Sequence, residues 1–229
     1  MKFLFCMLLV AASLSPLLAE ESCPRTGWKP GYWSKLAAQP CRENLDHKPV
    51  TIISPNRKQR LLVKEDGVFE KAVGGGNSEK WFDYRPGDEF LWSPDSSEVL
   101  VSFCLGAAGP CGVASTADEE NTPTITDIVK KEFASGHEDD ECYMHANVGA
   151  LTWLDNSGKI VVVAEVPAVP SCVGHNEGHF ESMVVSLSER KVLTRYNMQE
   201  TIHRWHSIFG TGLLNDMDLV REDAKGMQK

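Results

Sequence analysis

Beyond residue 18 the chain has no apolar run long enough to cross a bilayer as a helix, which takes about 20 residues. It is also poor in positive charge. Lys and Arg number 23 against 32 Asp and Glu, a net charge of -9. That balance argues against nucleic acid, whose phosphates demand Lys/Arg clusters, and against an anionic membrane surface. No Gly-x-Ser-x-Gly elbow and no His-Glu-x-x-His helix occurs, so no standard nucleophile or metalloprotease motif points to catalysis. Gly74-Gly75-Gly76 lacks the Lys and helix that a phosphate-binding loop requires, and reads as a turn. No Asn-x-Ser/Thr acceptor is present, because Asn121-Thr122 is followed by Pro123.

The first residues carry the layout of an export signal. Lys2 is a short positive segment, Phe3 to Leu18 is mostly apolar, and Ala19 offers a small residue for cleavage. The expectation is a signal peptide over 1–19 and a mature chain of about 210 residues, enough for one domain with a real core. Cleavage removes only Lys2 among the charged residues, making the protein one unit more acidic. Localisation is then secreted or periplasmic, with no stable membrane insertion.

Seven cysteines are present, and Cys6 leaves with the signal. Cys23, Cys41, Cys104, Cys111, Cys142 and Cys172 remain, and an even number in an exported chain reads as disulfides. Neighbourhood in sequence favours Cys23–Cys41, Cys104–Cys111 and Cys142–Cys172. The first would contribute about 3 kcal/mol on a chain-entropy argument.

A short pattern recurs along the chain: Ile52-Ile53-Ser54-Pro55-Asn56, then Leu91-Trp92-Ser93-Pro94-Asp95, then Thr152-Trp153-Leu154-Asp155-Asn156. Each copy precedes an apolar run: Leu61-Leu62-Val63, Val99 to Phe103, and Ile160 to Ala164. Strand, tight turn and strand are predicted each time. Pro presets φ at the first turn position, and Asp or Asn bonds back to the turn backbone. Further strands are expected at Val68–Val73, Lys80–Tyr84, Gly112–Ser115, Thr124–Val129, Ser182–Leu187 and Lys191–Tyr196, with a closing strand at Leu213–Val220. Met198–Phe209 reads as a short helix or a strand.

The motif Trp92-Ser93-Pro94-Asp95 before Val99-Leu100-Val101-Ser102 resembles the blades of TolB-like and prolyl-oligopeptidase-type β-propellers. The resemblance covers about 150 residues and includes no catalytic domain. Asn56 replaces Asp in the first copy, and Leu154-Asp155-Asn156 replaces Ser-Pro-Asp in the third. It implies an all-β fold: an incomplete, disulfide-braced, propeller-like stack of about three antiparallel four-stranded sheets, since closed propellers have about four to eight blades. Residues 20–48 are read as an irregular, disulfide-tied lead-in whose aromatics cover apolar surface, with a carbohydrate-stacking platform as the alternative. Residues 49–220 form the propeller-like domain and 221–229 a polar tail.

Cys142-x-x-His145 is echoed by Cys172-x-x-His175, followed by Glu177 and His179. These are zinc-type ligands, and three readings stand. Cys142 and Cys172 form a disulfide, they join the histidines in a structural zinc site, or His145, His175, Glu177 and His179 hold a metal beside the disulfide. His203-Arg204-Trp205-His206 is either a binding hot spot, since Trp and Arg dominate such spots, or a packed final element. The acidic run His137 to Glu141 reads as a solvated loop, with Ca²⁺ or a basic partner as its functional alternatives.

These readings converge on an exported, non-enzymatic module that binds another protein. An inhibitor or immunity protein of a periplasmic enzyme is one form, and some immunity proteins of type six secretion toxins look similar in size, export and propeller-like hairpins. The alternatives are a metal-binding protein or metal-dependent enzyme using the His145 cluster, and a structural module of the cell envelope.

Overall fold

The computed structural model describes residues 24, 26–45, 48–72, 79–105, 110–116, 118, 122–172, 178–215 and 217. The expected signal peptide, Cys23, the Gly74–Asn77 turn, His175, Glu177 and the 221–229 tail lie outside the described residues.

Three antiparallel sheets dominate the described residues. In chain order the first strands are β1 (Trp28–Pro30) and β2 (Ala38–Pro40), followed by a helical turn α1 (Arg42–Leu45). The first sheet is the meander β3 (Val50–Ile53), β4 (Gln59–Lys64), β5 (Gly67–Ala72) and β6 (Glu79–Phe82). The second sheet carries β7 (Glu89–Trp92), β8 (Val99–Cys104) and β9 (Cys111–Ser115) in the order β1-β2-β7-β8-β9. Then come the helices α2 (Ile125–Phe133) and α3 (Glu141–Met144). The third sheet is again a meander: β10 (Asn147–Trp153), β11 (Lys159–Glu165), β12 (Phe180–Ser186) and β13 (Lys191–Tyr196). Helix α4 (Met198–Trp205) follows, and residues 211–215 are helical.

The sheets stack because their strands are apolar on the faces that meet. Pairing of Val50 with Val63, Ile52 with Leu61, and Val63 with Val68 puts these buried side chains on one face of the first sheet. They pack against Phe90, Val99 and Val101 of the second. The opposite face of the second sheet, with Leu91, Leu100 and Val113, packs on Val148, Ala150, Ile160 and Val162 of the third. The far face of the third, with Leu151, Val161, Val163 and Phe180, is covered by Phe209, Leu213 and Met217. A strand buried on both faces needs an unbroken apolar run rather than alternation, which is why Val99–Val101 and Ile160–Ala164 read as they do.

The first two recurring turns share one way of bonding, and the third reaches a similar closure through Asp155 alone. Ser54 Oγ accepts from Gln59 N at 3.0 Å, and Asn56 Oδ1 accepts from Lys58 N at 2.8 Å. Ser93 Oγ likewise accepts from Glu98 N at 3.0 Å, and Asp95 Oδ1 from Ser97 N at 3.0 Å. In the third turn Leu154 replaces Ser, and Asp155 Oδ1 alone accepts from Gly158 N and Lys159 N, at 2.7 and 2.8 Å. The first two turns also touch, through Asn56 N donating to Ser96 Oγ at 3.0 Å.

Two expected strands are corrected. Residues 125–133 are helical, not extended. Thr124 caps the helix and Asp127 completes the capping box, while Ile125, Val129 and Phe133 are buried at a four-residue spacing. The alternation in Thr124–Val129 was too short to outweigh these. Helix α2 takes the place of a fourth strand beyond β9: Thr126 Oγ1 accepts from Val113 N at 2.8 Å and donates to Val113 O at 3.1 Å. The edge strand's free backbone groups are thus bonded by a side chain. In place of the closing strand at Leu213–Val220, residues 211–215 form a helix. It supplies Leu213 to the layer over the third sheet, whose strands are already complete. Of the two options for Met198–Phe209, helix is found through Trp205, with Asn197 and Glu200 as the capping box.

The lead-in is more regular than expected. Its strands β1 and β2 extend the second sheet through Ala38 opposite Phe90, making that sheet five-stranded. Trp33 is buried, in line with a covering role for its aromatics. The lead-in also ties the C-terminal layer in place: Gly210 N donates to Trp33 O at 2.9 Å and Gly212 N to Tyr32 O at 3.1 Å. Cys104–Cys111 and Cys142–Cys172 are disulfides as expected. Cys41 is also disulfide-bonded.

Replacing Leu100, fully buried between two sheets, by Ala will cost about 2–5 kcal/mol in urea denaturation. Replacing Leu193, 39% exposed on β13, will cost no more than about 0.5 kcal/mol. Equal losses would contradict the two-sided core.

Candidate functional site

Where the second and third sheets part at one end of the stack, a cleft of 1240 Å³ opens. Its base includes Trp33, Glu89 and Ser102, and both described disulfides line it. Below it the two sheets are stitched together: Ala150 N donates to Ser102 Oγ at 2.9 Å and Cys111 N to Asn147 Oδ1 at 3.1 Å.

The rim is the acidic run. Glu138, Asp139, Asp140 and Glu141 border the cleft, with Glu165 on the wall from β11. Asp140 caps α3, accepting from Cys142 N at 2.9 Å, and so sets the path into the Cys142–Cys172 disulfide. His137 stacks on buried Tyr143 with ring centroids 4.0 Å apart. Gly136 N donates to Glu138 Oε1 at 3.0 Å and holds that carboxyl below its ordinary range. The run is mostly exposed, as expected of a solvated loop, and is anchored at both ends. Among the described lining residues there is no Lys or Arg.

Glu89 opens β7 and is 1% exposed. Its carboxylate accepts from the backbone N–H groups of Tyr32 and Trp33, the latter at 3.1 Å. Burial pushes it up from 4.5 to about 7, against the lowering effect of these backbone hydrogen bonds. Its neighbour Asp88 is fully buried and is also pushed up to about 7, chiefly by burial. Asp88 Oδ2 accepts from Arg85 N at 2.7 Å, whereas Oδ1 has no hydrogen-bond partner among the described residues.

Of the proposed metal ligands, His175 and Glu177 lie outside the described residues, so only the other members can be placed. Cys142 and Cys172 are bonded to each other, so the Cys/His zinc alternative loses its thiolates. His145 is exposed and lines the cleft. His179 instead sits 3.3 Å from Glu181 through Nε2, stacked near Phe133. Glu181 also pairs with Arg195, whose guanidinium donates to Glu132 O at 2.8 Å and Phe133 O at 3.3 Å. Burial pushes Glu181 up, but its bonds to His179 and Arg195 outweigh that and hold it low. This group clasps the C-terminal end of α2 to the third sheet. Among the described residues no group of three His, Cys, Asp or Glu is arranged to hold a metal. In the other cluster, Trp205 packs into the C-terminal layer. His203, Arg204 and His206 are exposed, with Arg204 over the Tyr196 ring at 4.4 Å.

Glu89 and Glu165 were not singled out as functional from sequence. The available signal was a carboxylate at the end of an apolar strand: Glu89 before Phe90-Leu91-Trp92, and Glu165 after Ile160–Ala164. Both are nearly inaccessible, at 1% and 5% exposure, and such residues are seldom fully buried unless paired. No helix among the described residues is long and apolar enough to cross a membrane. No protein-family model, characterised protein or solved structure matches this chain.

The two raised acids make stability fall as pH rises. Their folded values near 7 exceed the ordinary 3.8 and 4.5, so the folded state holds more protons across that window. Between pH 5 and 7.5 each acid will lower stability by about 2 kcal/mol, less in combination because neighbouring charges titrate together. Asp88→Asn with Glu89→Gln will flatten that slope in urea denaturation. A slope unchanged by the double variant would refute the assignment.

Proposed function

We propose that the chain is an exported, non-enzymatic binding module whose cleft receives a protruding loop of another protein. In this reading the stacked sheets are an incomplete set of propeller-like blades. The two four-stranded meanders, the similar turns and the face-to-face packing support it. The observation that carries the function is the cleft itself. It exceeds the size of most small-molecule sites, about 300–1,000 Å³, and lies between rigid sheets at a loop-bearing end, where binding residues concentrate. Its rim carries one sign of charge, which steers an oppositely charged partner. The disulfides suit an oxidising compartment. An enzyme with a loop inserted in the cleft would be inhibited by occlusion, the immunity-protein form of this function.

The test is capture of secreted or periplasmic proteins on the immobilised chain, beside variants that fill the cleft. Ala168 and Ser171 line the cleft with exposed side chains, so Ala168→Trp and Ser171→Trp will leave the fold intact by circular dichroism. A stoichiometric partner held by the wild type and weakened at least about 10-fold by either variant is the expected result. A partner that ignores both variants would place binding elsewhere.

A further inference from the structure

We propose that the base of the cleft seats a cationic side chain, ammonium or guanidinium, from the partner's inserted loop, with the Glu89 carboxylate as its counter-charge. This rests on the reading of the cleft as a protein-binding site.

Glu89 is a built feature. Two consecutive backbone N–H groups, of Tyr32 and Trp33, hold its carboxylate in place. A Cβ on Gly31 would fall 2.0 Å from Glu89 Oε2, so glycine there lets the backbone close around the acid. Trp33 forms the adjoining wall, fitted against Gly149, where a Cβ would overlap its ring. Yet among the described residues no Lys, Arg or His forms an ion pair with Glu89. Carboxylates this deeply buried are ordinarily paired with a cation or, as Glu89 is, pushed towards the protonated form until one arrives. Here the surface that remains is the cleft, and its described lining offers more carboxylates but no Lys or Arg.

A side-chain cation fits this setting better than a bare metal ion. The two backbone donors already engage the carboxylate, and no metal-type cluster exists among the described residues. A hard divalent ion would need about six oxygen ligands. An ammonium or guanidinium needs acceptors along one side only. The rim carboxylates Glu138 to Glu141 then act at longer range, drawing the cation inward.

The raised pKa adds a signature. Near pH 7 Glu89 is about half protonated, and an arriving cation favours its charged form, so binding should release up to about half a proton. Asp88 just before β7, Glu165 on β11, His145, and His137 with Glu138 to Glu141 on the rim are the other titratable groups around the base. The Asp88 charge pushes Glu89 further up.

The experiment uses n-butylguanidinium, with n-butylurea as its uncharged isostere, titrated into the ¹⁵N-labelled full chain and followed by NMR. The expected result is binding of n-butylguanidinium with shifts at the Tyr32 and Trp33 amides. It should be at least 10-fold tighter than n-butylurea, a margin of about 1.4 kcal/mol. Glu89→Gln should abolish the preference, while Glu138→Gln should weaken binding only about 2-fold and in a salt-dependent way. Equal binding of the two probes, or a preference that survives Glu89→Gln, overturns the proposal. If Glu89→Gln does not fold, the wild-type comparison of the two probes decides alone. A partner lost in Ser171→Trp but indifferent to Glu89→Gln sinks the cation seat and leaves the protein-binding reading standing. A cation seated at Glu89 beside a partner that ignores Ser171→Trp does the reverse.

Discussion

Leu100 and Val101 are neighbours on β8 and both are fully buried, Leu100 against the third sheet and Val101 against the first. A strand that hides both faces cannot exist without a layer on either side. The second and third sheets both depend on this. The second is held between its neighbours. The third is held between the second and a C-terminal layer of Phe209, Leu213 and Met217. That layer is fastened by the backbone of Trp33 and Tyr32. The lead-in is therefore part of the closure, joining the second sheet at Ala38 and the last residues of the core at Gly210 and Gly212. At the other end, the first sheet turns its second face outward, with Ile53 57% exposed and Lys64 lying over Phe69 at 4.6 Å.

The same constraint makes the cleft. Face-to-face packing is tight along the strand middles, where Val148, Ala150 and Leu100 interlock. Towards the strand ends the apolar runs give way to Ser102, Asn147, Glu89 and Glu165, and the sheets part. Polar groups near the parting are satisfied individually, Ser102 by Ala150 N and Asn147 by Cys111 N. Glu89 is satisfied by backbone donors but has no cationic partner among the described residues, because those donors come from a segment that also locks the C-terminal layer. One segment thus closes the fold and shapes the base of the site.

Much of the fold was legible locally. Unbroken apolar runs at Val99–Phe103 and Ile160–Ala164 marked central strands, and Ser-Pro-Asp and its variants marked the turns joining them. The pairs Cys104–Cys111 and Cys142–Cys172 followed from nearness in sequence. Helix α2 was missed although its signals were present, a capping box at Thr124 and Asp127 and burial every fourth residue, because Thr and Ile also favour strands. The strands at Trp28–Pro30 and Ala38–Pro40 were less visible, being only three residues each and ending in Pro.

By itself the sequence determined most of the strands, the turns that join them and the Cys104–Cys111 and Cys142–Cys172 pairs, because each depends on residues close together in the chain. Only the tertiary structure decided that the His137–Glu141 run borders a cleft, that His179 belongs to a clasp with Glu181 and Arg195, and that Glu89 is a buried acid. Glu89 meets Tyr32 across a separation of 57 residues. Burial and its effect on ionisation arise from what surrounds a group in space, and no local pattern encodes a neighbour that distant in the chain.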